Sequence, residues 1–120
     1  MNVLTVLLLI WVHTIADFAL QTDQMAINKS SSNYWLFIHV FIYSLCFWPL
    51  SFFIGWQAGA LFVLINFAAH FCTDYVTSRM TTKLWKAGKR HLFFVVIGID
   101  QALHFTALVL SYQWVSRMGG

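Results

Sequence analysis

The chain has 120 residues, of which 60% are hydrophobic and only 9% are charged. Soluble domains usually carry about a quarter charged residues, so this composition excludes an ordinary soluble domain and favours an integral membrane protein. The net charge of +3 does not indicate a nucleic-acid partner, because the seven basic residues lie outside the apolar runs, as membrane topology requires. These residues are Lys29, Arg79, Lys83, Lys86, Lys89, Arg90 and Arg117.

The first apolar run covers about residues 3–20 and is interrupted only by His13, Thr14 and Asp17. No basic residue precedes it and no small-x-small cleavage site follows it, so we predict a membrane-spanning helix and not a cleaved signal. The polar residues 21–33 are typical of a loop. A second span is predicted over about 34–53, with Pro49 expected to kink or end it.

A turn at Gly55 leads into a third predicted span, about residues 56–77. A basic loop over 79–90 and a fourth span over about 92–114 follow. We therefore predict an all-α, polytopic membrane protein, with residues 1–120 forming a single four-transmembrane-helix bundle. Because six of the seven basic residues fall in two loops on the same side, we expect both termini outside and both loops in the cytoplasm, in the inner membrane.

Three of the four acidic residues stand four positions from a histidine. A spacing of four places both side chains on one face of a helix. The order is reversed in the last pair, whose predicted helix runs antiparallel to the other two, so in every pair the aspartate is nearer the cytoplasm and the histidine is deeper. The sequence therefore predicts one shared site. Its pairs are His13 and Asp17, His70 and Asp74, and Asp100 and His104.

An unpaired aspartate in a membrane costs about 2.5 to 3.5 kcal/mol, and few cations lie within the spans. A divalent metal ion would neutralise the aspartates, and the mixed nitrogen and oxygen donors suit zinc first, with manganese, iron or magnesium as alternatives. We predict the six paired residues as ligands for one ion or for two ions that share carboxylates. A metal-free hydrogen-bond network or a proton relay remains the alternative.

For a catalytic site, whichever of Asp17, Asp74 and Asp100 does not bind the ion would serve as the base. His39, in the second span, could be a further ligand, a hydrogen-bond donor to a ligand, a general acid or a packing residue.

Several of these residues fall in motifs that resemble a known family. They are His13-x-x-x-Asp17-Phe18-x-Leu20-Gln21-Thr22, Lys29, His39, His70-x-x-x-Asp74 and Ile99-Asp100-Gln101-x-x-His104. Over nearly the whole chain this pattern resembles the small bacterial and phage membrane proteins of domain-of-unknown-function family 3307. A looser resemblance, to membrane-bound metal-dependent hydrolases with His-x-x-x-Asp motifs, implies a metal more than it implies a particular reaction.

Three functions are compatible with this pattern. The first is a metal-dependent hydrolase that acts near the cytoplasmic leaflet on a lipid or phosphate-bearing substrate, which the basic loops would attract. The second is an ion or proton transporter or channel, which four short helices could form only as a homo-oligomer or with a partner. The third is a non-catalytic phage or bacterial membrane factor with a structural metal. No Gly-rich phosphate loop, Gly-x-Ser-x-Gly or cysteine motif supports another enzyme class.

Overall fold

A computed structural model describes residues 1–119, and the fold is all-α, with no β-strand among those residues. This confirms the predicted all-α class. The α-helices are α1 (Val3–Thr14), α2 (Asp23–Asn28), α3 (Asn33–Phe47), α4 (Ser51–Ile54), α5 (Trp56–Lys86) and α6 (Arg90–Gly119).

Three helical segments of the described chain are long and apolar enough to cross a membrane. They comprise 22 residues over Asn33–Ile54, 31 residues over Trp56–Lys86 and 29 residues over Arg90–Met118. The first apolar segment, Val3–Ala19, has 17 residues and is a shorter apolar helix than these three. Three of the four predicted spans are thus supported by length and composition.

The first segment ends in an unusually wide helical turn. After α1, residues Ile15–Ala19 form a π-helical turn, in which the Leu20 amide donates to the Ile15 carbonyl at 3.0 Å. Such turns insert one residue into the helical ladder and frequently occur at functional sites. Asp17 lies within this turn and is buried.

Two predicted loops are partly helical. The segment 21–33 contains α2, whose first turn is capped by the Thr22 hydroxyl accepting from the Met25 amide at 3.2 Å. The prediction of a basic loop over 79–90 is wrong for most of its length, because α5 continues to Lys86. Residues 79–87 contain no glycine or proline, and Gly88, which adopts a φ of 74°, ends the helix.

Pro49 interrupts the second predicted span, as expected. Residues Trp48–Leu50 form a tighter 3₁₀ turn between α3 and α4. Gly55, with a φ of 95°, then reverses the chain into α5.

The long helices pack in a consistent order. Helix α5 packs against α3 and α6, and the first helical segment contacts both α3 and α6. Large buried apolar residues fill the half of the structure that lies away from the α5–α6 connection. They are Leu9, Phe47, Phe62, Leu108 and Val115. The other half contains the buried histidines and aspartates. Buried polar side chains also occur in the apolar half, where Asn66 Nδ2 donates to Ser111 Oγ at 2.8 Å.

Candidate metal centre

The three predicted pairs and His39 come together where the long helical segments meet. We call these seven residues the His–Asp cluster: His13, Asp17, His39, His70, Asp74, Asp100 and His104. Six of them are buried, and Asp100, with its side chain 14% exposed, is the least buried. The cluster is built from every long segment, because the first segment and α3 contribute alongside the pairs on α5 and α6.

Four residues of the cluster form its most compact part, which we call the four-residue group: Asp17, His39, His70 and Asp74. The Nε2 atom of His39 lies 3.0 Å from Asp17 Oδ1, 3.2 Å from His70 Nε2 and 3.3 Å from Asp74 Oδ2. The His70 Nε2 atom lies 3.1 Å from Asp74 Oδ2 and 3.4 Å from Asp17 Oδ1.

These separations fit a metal site. Ligands at 2.0 to 2.1 Å from a tetrahedral zinc ion are about 3.3 to 3.4 Å apart, and a tighter octahedral arrangement gives about 3.0 Å. The five measured separations, from 3.0 to 3.4 Å, span the same range. Facing imidazole nitrogens cannot both donate to each other, whereas both lone pairs can bind one ion. The four-residue group can therefore hold a metal ion.

His70 is oriented by stacking and not by a second hydrogen bond. Its ring stacks on the His104 ring, with centroids 4.0 Å apart and planes 10° apart, and lies 4.0 Å from the Tyr43 ring. Its Nδ1 atom is buried without a partner among the described residues. Metal-bound imidazoles usually donate from this second nitrogen, so His70 relies on its aromatic neighbours for its orientation.

A second set of possible ligands shares Asp17 with the first and adds Asp100 and His104. His104 Nε2 lies 3.2 Å from Asp100 Oδ1 and 3.0 Å from Asp74 Oδ1. Asp100 already accepts from Thr77 Oγ1 at 2.6 Å and from Gln101 Nε2 at 2.9 Å. The four-residue group offers four ligands and the second set three, so the four-residue group is the more complete site.

His13 belongs to neither set. The Gln101 amide nitrogen donates to Asp17 at 3.2 Å and to Asp100, so the Gln101 carbonyl oxygen faces His13 Nε2, at 2.8 Å, and accepts from it. His13 Nδ1 then accepts from the Tyr43 hydroxyl at 2.8 Å. Both ring nitrogens are engaged, and an ion at His13 would have to displace one of these partners. In this structure His13 positions Gln101, and its predicted role as a ligand stays a prediction.

The charge of the cluster is unbalanced. Lys29 Nζ lies 3.3 Å from Asp74 Oδ2 and forms an ion pair with it. Among the described residues, no other lysine or arginine forms an ion pair with the cluster. Three carboxylates against one ammonium group leave a net charge of −2 when the imidazoles are neutral. Either one divalent ion or two added protons would balance this charge.

A cavity of about 210 Å³ lies beside the cluster. One part of its wall is the cluster itself, through Asp17, Asp74 and Asp100. The rest consists of polar and apolar side chains from outside the cluster. They are Phe18, Gln21, Lys29, Thr77, Ser78, Thr81, Ile97 and Gln101. The cavity gives a small molecule access to the carboxylates.

Sequence reasoning did not assign roles to Gln101, Tyr43 or Thr77. Each had a signal: Gln101 stands three residues before His104, Tyr43 four residues after His39 and Thr77 three residues after Asp74. A same-face position indicates that a side chain can point towards the cluster, but not which group on another helix it reaches.

Comparison with protein families identifies the family of this chain. The family model described as "Protein of unknown function (DUF3307)" matches residues 3–119. No curated protein and no solved structure matches the chain. The motifs around the His–Asp cluster all fall within the matched range, and the chain belongs to the DUF3307 family.

Proposed function

We propose that this chain is a membrane-embedded, metal-dependent hydrolase that acts near the cytoplasmic leaflet on a lipid or phosphate-bearing substrate. The observation that carries this proposal is the four-residue group, in which two imidazoles and two carboxylates converge beside a cavity. Both the nitrogen and oxygen donors of this group and the distances between them suit a transition metal.

The outward-facing side chains support a membrane location. Leu4, Phe53, Leu64 and Phe94 are 75%, 81%, 65% and 62% exposed, as is expected of helices that face lipid. The first segment, with 17 residues, is about 25 Å long and reaches the lower limit for a spanning helix. We therefore propose four spans in one bundle.

The basic residues support the proposed orientation. Arg79, Lys83 and Lys86 lie in the last turns of α5, beyond the cluster, and Lys29 lies in the connection between the first segment and α3. With these residues in the cytoplasm, both termini are outside. Asp74 is then only five residues, about 7.5 Å along the helix, deeper than Arg79.

The four-residue group, Asp17, His39, His70 and Asp74, would hold the ion. One divalent ion would neutralise the net charge of −2, and the two nitrogen donors favour zinc, manganese or iron over magnesium, which prefers oxygen ligands. Such an ion supplies an activated water and polarises the bond to be cleaved. Asp100 would accept the proton of the attacking water, because it is the most exposed carboxylate of the cluster and lines the cavity.

Two observations favour a hydrolase over the alternatives. A transporter or channel within one bundle needs a continuous polar path, whereas Leu9, Phe62 and Leu108 are buried in the outer half around the isolated hydrogen bond from Asn66 to Ser111. A metal that only stabilises the bundle needs no cavity beside it, whereas this cluster borders one. Neither a pore nor a purely structural ion therefore accounts for the arrangement as well as a hydrolytic site does.

The test combines metal content with hydrolysis. Detergent-purified protein is analysed for metals and then incubated with vesicles of phosphatidylethanolamine and phosphatidylglycerol that contain phosphatidic acid. We expect stoichiometric metal and release of phosphate or fatty acid that a chelator stops. Asp74→Asn should lose both metal and activity. Asp23→Asn, the same change at the exposed aspartate outside the cluster, should keep both.

Absence of metal from the wild-type protein, or hydrolysis that Asp74→Asn leaves intact, would overturn the proposal. Metal-loaded protein that releases neither product would favour the structural metal instead.

A further inference from the structure

The cavity beside the cluster contains polar atoms without partners. Ser78 is only 7% exposed, and its Oγ atom has no hydrogen-bond partner among the described residues. The same is true of Gln21 Oε1. Both residues line the cavity. A buried hydroxyl that lacks a partner costs free energy, so these atoms need a polar partner, which water or a polar ligand in the cavity can supply.

The charge on the cavity wall indicates which ligand. Lys29 lines the cavity, and its ammonium group has three donors, of which one points towards Asp74 at 3.3 Å. The remaining donors and the Ser78 hydroxyl can bind the same ligand oxygen or neighbouring oxygens. An ammonium group and a hydroxyl together favour a phosphate oxyanion.

The size and the apolar wall of the cavity indicate the rest of the ligand. Drug-sized molecules occupy pockets of about 300 to 1,000 Å³, so a cavity of about 210 Å³ accommodates a head group and not a whole lipid. Phe18 and Ile97 contribute apolar side chains to the same cavity, and Phe18 is 54% exposed. Acyl chains attached to a bound phosphate can pass along this apolar side towards the bilayer.

We propose that the cavity binds the phosphate group of a phospholipid head group through Lys29 and Ser78. This inference rests on the proposed function, because the cluster with neutral imidazoles and no ion has a net charge of −2 and repels an anion. One divalent ion makes the site neutral and permits phosphate to bind. Metal and phosphate should therefore bind with positive coupling.

Binding is measured by calorimetry on metal-loaded protein in detergent, with three probes. Short-chain phosphatidic acid contains the phosphate and the chains, inorganic phosphate lacks the chains, and short-chain diacylglycerol lacks the phosphate. We expect phosphatidic acid to bind more tightly than either of the others. Removing the metal with a chelator should weaken its binding by about tenfold or more, since the repulsion then returns.

The variants assign the binding to the cavity. Lys29→Met and Ser78→Ala should each weaken phosphatidic acid binding by about tenfold, the loss expected for one charge-assisted hydrogen bond. The matched changes Lys89→Met and Ser31→Ala, at exposed positions, should have no effect. Ser78→Ala and the two control variants should keep the wild-type metal content, which shows that they fold. For Lys29→Met, whose parent side chain pairs with Asp74, wild-type helix content by circular dichroism shows that the protein folds.

The outcomes separate this inference from the proposed function. Metal-loaded protein that does not bind phosphatidic acid, or cavity variants that bind it like wild type, would overturn the inference alone. Inorganic phosphate binding as tightly as phosphatidic acid would overturn the lipid assignment. Wild-type protein without metal would overturn the proposed function, whatever the probes show.

Discussion

Substitution of His39 distinguishes a metal site from a hydrogen-bond network. In His39→Gln, the shorter amide side chain can still donate a hydrogen bond to Asp17, but it is a poor ligand for a transition metal. His39 Nε2 lies 3.0 to 3.3 Å from the three other ligand atoms of the four-residue group. Loss of the imidazole therefore removes one of the four ligands. Replacing groups that only support a ligand costs 10- to 100-fold in metal affinity. Loss of a ligand should therefore cost at least about 100-fold, or about 2.7 kcal/mol.

Zinc affinity is measured by competition with a chelating dye in detergent. His91→Gln provides the matched control, because His91 is exposed at the start of α6 and lies outside the cluster. We expect this control to bind zinc like wild type. Equal zinc affinity of His39→Gln and wild type would refute the four-residue group as the metal site, as would an equal loss in both variants.

Three further variants and one treatment test other parts of the account. Gln101→Leu breaks the link from His13 to the carboxylates and should lower zinc affinity by about 10- to 100-fold in the dye competition, with unchanged affinity contradicting this role. Tyr43→Phe leaves His13 Nδ1 without its donor and should lower the free energy of unfolding by about 1 kcal/mol, measured by thermal or denaturant unfolding; a neutral effect would contradict the assigned hydrogen bond. Gly59→Ala places a Cβ atom against the Ser51 backbone and side chain, and should lower the unfolding temperature, whereas unchanged stability would contradict the close approach of α4 and α5. Chelation of the metal should lower the unfolding temperature of wild type, because ligand binding stabilises the folded state, and should have little effect on Asp74→Asn.

The extent of the helices was only partly predictable from the sequence. Apolar runs reveal the residues that lipid must cover, and they correctly indicated three segments able to cross a membrane. They do not reveal where a helix ends, and α5 continues past the predicted limit of 77 to Lys86 because nothing in that polar stretch breaks a helix. The wide turn at Ile15–Ala19 has no sequence signal, since its hydrogen bonds depend on backbone packing and not on particular side chains.

The arrangement of the site was also predictable only in part. The spacing of four and the reversed order on the last helix predicted that the pairs share a depth, and the structure brings them together; their roles as ligands stay predictions. A single histidine has no such spacing, so the sequence identified His39 as a candidate but left its role open. The separation of His13 from the two ligand sets depends on Gln101, whose amide reaches across from α6. Contacts of this kind depend on helix rotation, which spacing alone does not determine.

X-ray absorption at the zinc edge of the purified protein identifies the atoms that bind the ion. A zinc ion in the four-residue group should show only nitrogen and oxygen ligands at about 2.0 to 2.1 Å, with the outer-shell scattering of two imidazoles. Protein without bound metal, or an ion surrounded by water without imidazole scattering, would contradict the account.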